Sequence, residues 1–244
     1  MHELSAPTSI EYFTMQVRMI NFPSIRLQVS SLLDFKRRKA AVKEPETIEW
    51  LRKNLASHGP YTLLDIGANV GGYSLIACAL DTRCRAISVE PFPPTFLTLC
   101  KNIAINAMGD RIMPVNAMVG IGDANASISL RFDAWISGVA EHVNTGRFLL
   151  HLPAVGSAAL SAHIGPAEVI ICKIDVDGAE IYVLDALSEL LADRRLKSLL
   201  IECEQDLRAV VEERLHAVGL RIDAQYGKAN QHQVNLIAYR EGYR

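Results

Sequence analysis

The sequence predicts a three-layer α/β domain with a mostly parallel sheet and one antiparallel strand near its carboxyl end. Two observations predict it. Beyond about residue 60, short apolar runs rich in Val, Ile and Leu alternate with longer segments of helical period, the rhythm of strands joined by crossover helices. Near the end, the turn signal Gly227-Lys-Ala-Asn230 joins two strand-like runs with no room for a helix, so those two strands are antiparallel neighbours.

The strand-like runs are 62–66, 85–89, 112–115, 169–174, 198–202, 220–224 and 234–239, and the helical segments 71–80, 94–106, 179–192 and 206–218. Residues 120–165 read as an insertion near a site: 127–132 alternates like a strand, 148–152 is a second candidate, and Gly138, Gly146, Gly156 and Gly165 break the rest. Residues 1–59 are expected to form a helical extension to the main domain at 60–244. Within it, 46–57 has a helical pattern with Ile48, Leu51 and Leu55 on one face, Pro45 near the start and Gly59-Pro60 as the stop.

Composition narrows the function. A chain of 244 residues, 50% hydrophobic, is one large domain with a sizeable core. Lys plus Arg count 25 against 27 acids, a net charge of −2, which disfavours nucleic acid as the default partner. No apolar run approaches the roughly 18 residues of a membrane span, and no secretory leader is visible. The five cysteines are odd in number, lack CxxC spacing and sit in apolar segments, so they read as thiols of a reducing cytoplasm. The histidines lack the HExxH spacing of a metal site, and no metal ligand is expected.

Three strand-to-turn junctions carry chemistry. The first is the apolar strand ending in Asp65-Ile-Gly67-Ala-Asn69-Val-Gly71-Gly72, where glycines let the backbone approach a nucleotide-like ligand. The spacing is not GxGxxG. Asp65 before the first glycine repels a pyrophosphate but attracts an ammonium and a sulfonium, which points to S-adenosylmethionine. The second is Ser88-Val-Glu90-Pro91, an acid 23 positions after Gly67 and placed to grip a ribose diol. The third is Lys173-Ile-Asp175-Val-Asp177-Gly-Ala-Glu180. In open α/β sheets such turns converge beyond the strand ends, where strand order reverses. Plainer readings stand beside these: Glu180 as a helix cap, Lys173 as the partner of a carboxylate, Tyr73 as packing, and the basic run 35–39 as a solvated face.

At these residues the sequence resembles the FkbM family of S-adenosylmethionine-dependent methyltransferases, through LDIGANVGGYSL, VEPFPPTF followed by KNIAIN, VNAMVG and KIDVDGAEIYVLDAL. The likeness spans about residues 60 to 205. It implies a Rossmann-like class I methyltransferase fold with a seven-stranded sheet, and O-methylation of a hydroxyl on a sugar, glycan or natural-product scaffold. Carried over by position, it assigns Asp65, Gly67, Asn69 and Gly71 to the donor site, Glu90 to the ribose, and Asn116 and Met118 to the adenine neighbourhood. Asp175 falls near the transferring methyl as base or acceptor-orienting group, with Asp177 second. The family more often has glutamate at position 177, and 133–163 matches it poorly. The competing readings are an RNA methyltransferase, a dinucleotide-dependent oxidoreductase and a non-catalytic binding protein.

Overall fold

A computed structural model describes residues 15–56, 59–120, 127–132, 148–166, 168–227 and 232–243. The chain opens with β1 (Met15–Met19) and β2 (Phe22–Val29), then α1 (Leu32–Arg37), α2 (Ala40–Lys43) and α3 (Pro45–Leu55). The main domain begins with β3 (Tyr61–Ile66), α4 (Gly72–Leu80), β4 (Cys84–Val89), α5 (Pro93–Ile105) and β5 (Ile112–Val115). A side layer follows: β6 (Met118–Val119), β7 (Ser127–Phe132), β8 (Phe148–Val155) and α6 (Ser157–Ser161). The chain then returns through β9 (Val169–Ile174), α7 (Glu180–Ala186), α8 (Ser188–Ala192), β10 (Leu196–Glu204), α9 (Arg208–Ala217), β11 (Leu220–Tyr226) and β12 (Gln233–Arg240).

The central sheet has seven strands in the order β11-β12-β10-β9-β3-β4-β5. Strands β3, β4, β5, β9 and β10 run parallel, and β12 is antiparallel to both β10 and β11. The parallel strands are buried on both faces, which is why they read as unbroken apolar runs. On one face the core is closed by α3, α4 and α5 with the amino-terminal strands, on the other by α7, α8 and α9. The turn at 228–231 lies outside the described residues, but the antiparallel pairing it predicts is present between β11 and β12. All five cysteines are free.

Strand order reverses between β3 and β9, and the register there sets up the site. Ile66 lies opposite Val89 of β4 on one side and Ile174 of β9 on the other, and Ile174 lies opposite Ile201 of β10. The next residues on these four neighbouring strands are Gly67, Glu90, Asp175 and Glu202. One row of the sheet therefore delivers three carboxylates and a glycine to the same edge.

Two expectations need correcting. The amino-terminal extension is not wholly helical, because β1 and β2 pair as an antiparallel hairpin. The inward set Ile25, Leu27 and Val29 has period two, the signature of a strand, and Asn21 turns the hairpin at φ 68°. The segment 179–192 is two helices, separated at Leu187 by a backbone at φ −100°, ψ 9°. The strands expected at 127–132 and 148–152 exist, and β7 pairs with β8 in a small sheet whose Leu130 and Leu152 pack on Phe92.

The hairpin is bonded to the main domain through α5. Asn102, fully buried, accepts from the Gln28 amide at 2.6 Å and donates to the Val70 carbonyl at 2.8 Å, so one side chain ties β2 to the glycine turn. Asn102→Leu leaves both backbone groups buried and unmet, a loss of about 2 to 4 kcal/mol. Denaturant melts should show that loss, and amide exchange at Gln28 should accelerate; unchanged protection there would remove Asn102 as the anchor.

Candidate functional site

Beyond the strand row lies a cavity of about 430 Å³. Its wall includes Gly67, Asn69, Glu90, Asp175, Asp177 and Glu202 from the sheet side, and α1, α2 and the α2–α3 junction close it from above. The first turn is built on positive φ values at Gly67 (78°), Asn69 (51°) and Gly71 (85°). A Cβ on Gly67 would stand 1.9 Å from the Asp175 carbonyl oxygen, so the β3 and β9 turns touch backbone to backbone and only glycine permits it. The Asp175 amide bonds the Ile66 carbonyl at 2.9 Å and locks the two turns together.

Glu90 is buried at the end of β4. Its two oxygens accept from the Asn69 and Phe92 amides, both at 2.9 Å, so it braces the glycine turn as well as facing the cavity. Each oxygen keeps a second lone pair for a ligand hydroxyl. Burial, opposed by those two amides, pushes its pKa up to about 7. Asn116 donates to the Glu90 and Pro91 carbonyls at 2.9 Å, and Met118 packs with Phe92, Leu130 and Leu152. Neither Asn116 nor Met118 lines the cavity; they stand behind Glu90 and Phe92.

Asp65 does not reach the cavity either, a correction to its expected contact with the donor. It is 1% exposed beneath the turn, where Oδ2 accepts from Ser74 Oγ at 2.6 Å and Oδ1 has no hydrogen-bond partner. Asp65 lies two residues back from Gly67, level with Ser88 and Lys173 on the neighbouring strands, so it shares their face but stops short of the strand ends, under Ser74 of α4. Gly71 begins α4 as a left-handed cap and also lies behind the wall, its missing Cβ making room for Leu99.

Lys173 is paired, as one of its two expected roles had it. The residue is 1% exposed, and its ammonium lies 2.6 Å from Asp175 Oδ2 and 4.7 Å from the centre of the Tyr73 ring. Burial works against the ammonium, but Asp175, Glu44 and Asp65 outweigh it and hold its pKa above the ordinary lysine value. In return, burial raises Asp175 while the Lys173 charge overrides it, leaving the carboxylate below its usual range. Glu180 opens α7 and accepts from the Gly178 amide at 2.9 Å, ahead of the helix, where a helix cap was expected.

Two cavity residues escaped the sequence reading. Glu202 ends the parallel run of β10, and Glu44 sits where α2 meets α3. One oxygen each from Glu44, Asp175 and Glu202 lie within 4.8 Å of one another. The cation against this group is the Lys173 ammonium, which already neutralises Asp175. Burial, then the Asp175 and Glu44 charges, push Glu202 up to about 7. Its signal was legible: an acid closing an apolar parallel strand, as at Glu90. Of the basic run, Lys36 and Arg37 line the rim, joined by Lys43. His151, His163 and His232 are outside the lining, and His142 lies outside the described residues.

Lys173→Met leaves Asp175 without its buried cation and should cost about 3 to 5 kcal/mol at pH 7.5. Without the ammonium, burial alone raises the Asp175 pKa in the variant, so its carboxyl takes up a proton as pH falls and the deficit should shrink toward pH 4. Denaturant melts at both pH values decide it; an equal deficit at each would refute charge compensation.

Comparison with known proteins places this geometry. No curated protein matches the chain. Among solved structures, a precorrin-6Y C5,15-methyltransferase from Geobacter metallireducens shares 16% identity over 80% of this chain and 87% of its own, with a TM-score of 0.49. The amino-terminal domain of human METTL16 in complex with SAH shares 14% over 82% of this chain and 69% of its own, TM-score 0.48. The methyltransferase FkbM domain matches residues 65–219, more than half of the chain and every strand-end turn described above. The chain therefore belongs to the FkbM methyltransferase family and is a methyltransferase.

Proposed function

We propose that the enzyme transfers a methyl group from S-adenosylmethionine to a hydroxyl of a sugar, glycan or natural-product scaffold. The observation that carries this reading is the meeting of Gly67, Glu90 and Asp175 in one cavity at the point where strand order reverses. The charge of the wall fits the donor: with Asp175 paired to Lys173, the acids Glu44, Glu90, Asp177 and Glu202 outnumber the rim cations Lys36, Arg37 and Lys43 by one when ionised. A ligand of net charge about +1 is attracted there, and a pyrophosphate is not. The alcohol acceptor is what membership of the FkbM family suggests.

Bound in this cavity, the donor would supply a methyl carbon already activated by its sulfonium. The chain's part is to hold and align. Glu90 accepts hydrogen bonds from the ribose diol, the Gly67–Asn69 backbone lets the donor lie close to β3, and Phe92 and Leu130 offer the purine an apolar wall, with Asn116 and Met118 supporting them from behind. Asp175, fixed by Lys173, faces the reacting end and orients the acceptor hydroxyl, with Asp177 beside it. Alignment is worth about 7 to 11 kcal/mol, against about 3 to 5 kcal/mol for a positioned base, so geometry is the larger contribution.

Calorimetry with S-adenosylmethionine and its demethylated product should show binding at micromolar concentrations; no heat with either would end the donor reading. Glu90→Gln should weaken donor affinity by about tenfold or more while the chain stays folded, the loss of one charge-assisted bond. A panel of p-nitrophenyl glycosides, followed by mass spectrometry, should reveal a gain of one methylene unit in at least one member.

A further inference from the structure

Methyl transfer to an alcohol releases a proton, and the ion pair between Lys173 and Asp175 makes Asp175 a poor place for it. Proton transfer to Asp175, 2.6 Å away, would leave the buried Lys173 ammonium without its neutralising partner. Glu202 has no such commitment. It stands in the same register row as Asp175, one strand over, lines the same cavity, and its carboxyl makes no side-chain hydrogen bond among the described residues. Its oxygen lies within 4.8 Å of those of Asp175 and Glu44, close enough that a single acceptor hydroxyl can contact both Asp175 and Glu202.

We propose that Glu202 is the catalytic base that takes the acceptor's hydroxyl proton, while Asp175, held ionised by Lys173, orients that hydroxyl. The proposal rests on the alcohol-methylation reading and moves the proton acceptor from Asp175 to its neighbour. The acceptor oxygen forms its bond to the methyl carbon as the carbon–sulfur bond breaks, the electron pair leaves on sulfur, and the hydroxyl proton passes to a Glu202 oxygen and then to water. The groups around Glu202 tune it for this task. Asp175 on β9 and Glu44 at the α2–α3 junction raise its proton affinity, Lys173 and Lys43 lower it, and its partner on β12, Asn235, is uncharged and donates to Glu46. The result is a carboxyl that titrates near neutrality, where a base is most effective.

The sign is fixed by the mechanism: the base must be deprotonated, so turnover rises as pH rises through its pKa. Glu90 titrates in the same range, so the profile is read in kcat at saturating donor, where Glu90 is already engaged. With the fastest p-nitrophenyl glycoside as acceptor, Glu202→Gln should lower kcat about 100-fold or more and abolish the acid limb, a far larger effect than any loss of donor affinity. Glu202→Asp should restore part of the rate and the limb, which a merely structural role would not do. Independently of any acceptor, ¹³C carboxyl spectra of the ligand-free chain should show a glutamate titrating near pH 7 that is missing from Glu202→Gln. The proposal is overturned by a Glu202 carboxyl that titrates below pH 5, or by a Glu202→Gln enzyme with the parent's rate and profile. A neutral titration with no methyl transfer to any alcohol would overturn both this role and the acceptor reading, with donor binding still intact.

Discussion

The buried ammonium of Lys173 is the interaction on which the rest of the site depends. A row of parallel strand ends that exposes Glu90, Asp175 and Glu202 to one cavity, with Asp65 beneath it, concentrates negative charge in a dry place. Without a cation the carboxylates would take up protons or the strand ends would separate, since an unpaired buried charge is among the costliest features of a fold. Lys173 resolves this from inside the sheet. It occupies the register position facing Asp65 on β3, reaches forward to Asp175 and lies over Tyr73, so one cation serves acids on two strands and fixes an aromatic of α4.

That arrangement explains which parts of the site were legible in the sequence. The apolar strands, the glycine turn and the acids at positions 90 and 175 are local patterns, visible in a few consecutive residues, and the structure brings the turn and both acids to one cavity. Asp65 misled because its charge was visible but its depth was not: it sits one pleat short of the strand end, where Ser74 of α4 covers it and keeps it from the cavity. Glu202 was passed over because nothing after it looks like a glycine turn, although its strand ends as β4 does. Glu44 and the hairpin were beyond local reading. Glu44 reaches the cavity only because α2 and α3 fold over the sheet, and the hairpin is placed by Asn102 and Asn106, whose bonds to β2 span 74 and 80 residues.

The amino-terminal segment is therefore part of the cavity wall and not an appendage. Trp50 donates to Ser198 at 2.7 Å and seats α3 on β10, while Asn235 of β12 donates to Glu46 at 3.0 Å. With α3 fixed at both points, the α2–α3 junction has little freedom, and Glu44 is held against Asp175 and Glu202. The same segment supplies the basic rim of Lys36, Arg37 and Lys43, opposite in sign to the floor. A ligand entering past α1 and α2 meets positive charge first and negative charge at depth, which orients any molecule carrying both signs with its cation inward.

With the sulfonium donor proposed above, charge would also give the cycle a direction. Transfer would remove one positive charge from that donor, so the attraction that holds the methylated form would weaken in the demethylated product. At an effective dielectric of about 20, one unit of charge about 8 Å from a net negative charge is worth about 2 kcal/mol, enough to favour the charged donor over its product by more than tenfold. A neutral cavity would bind the two nearly alike and stall on its product. An acidic floor relieved by one buried lysine avoids both extremes: negative enough to prefer the sulfonium, and compensated enough to stay folded when the chamber is empty.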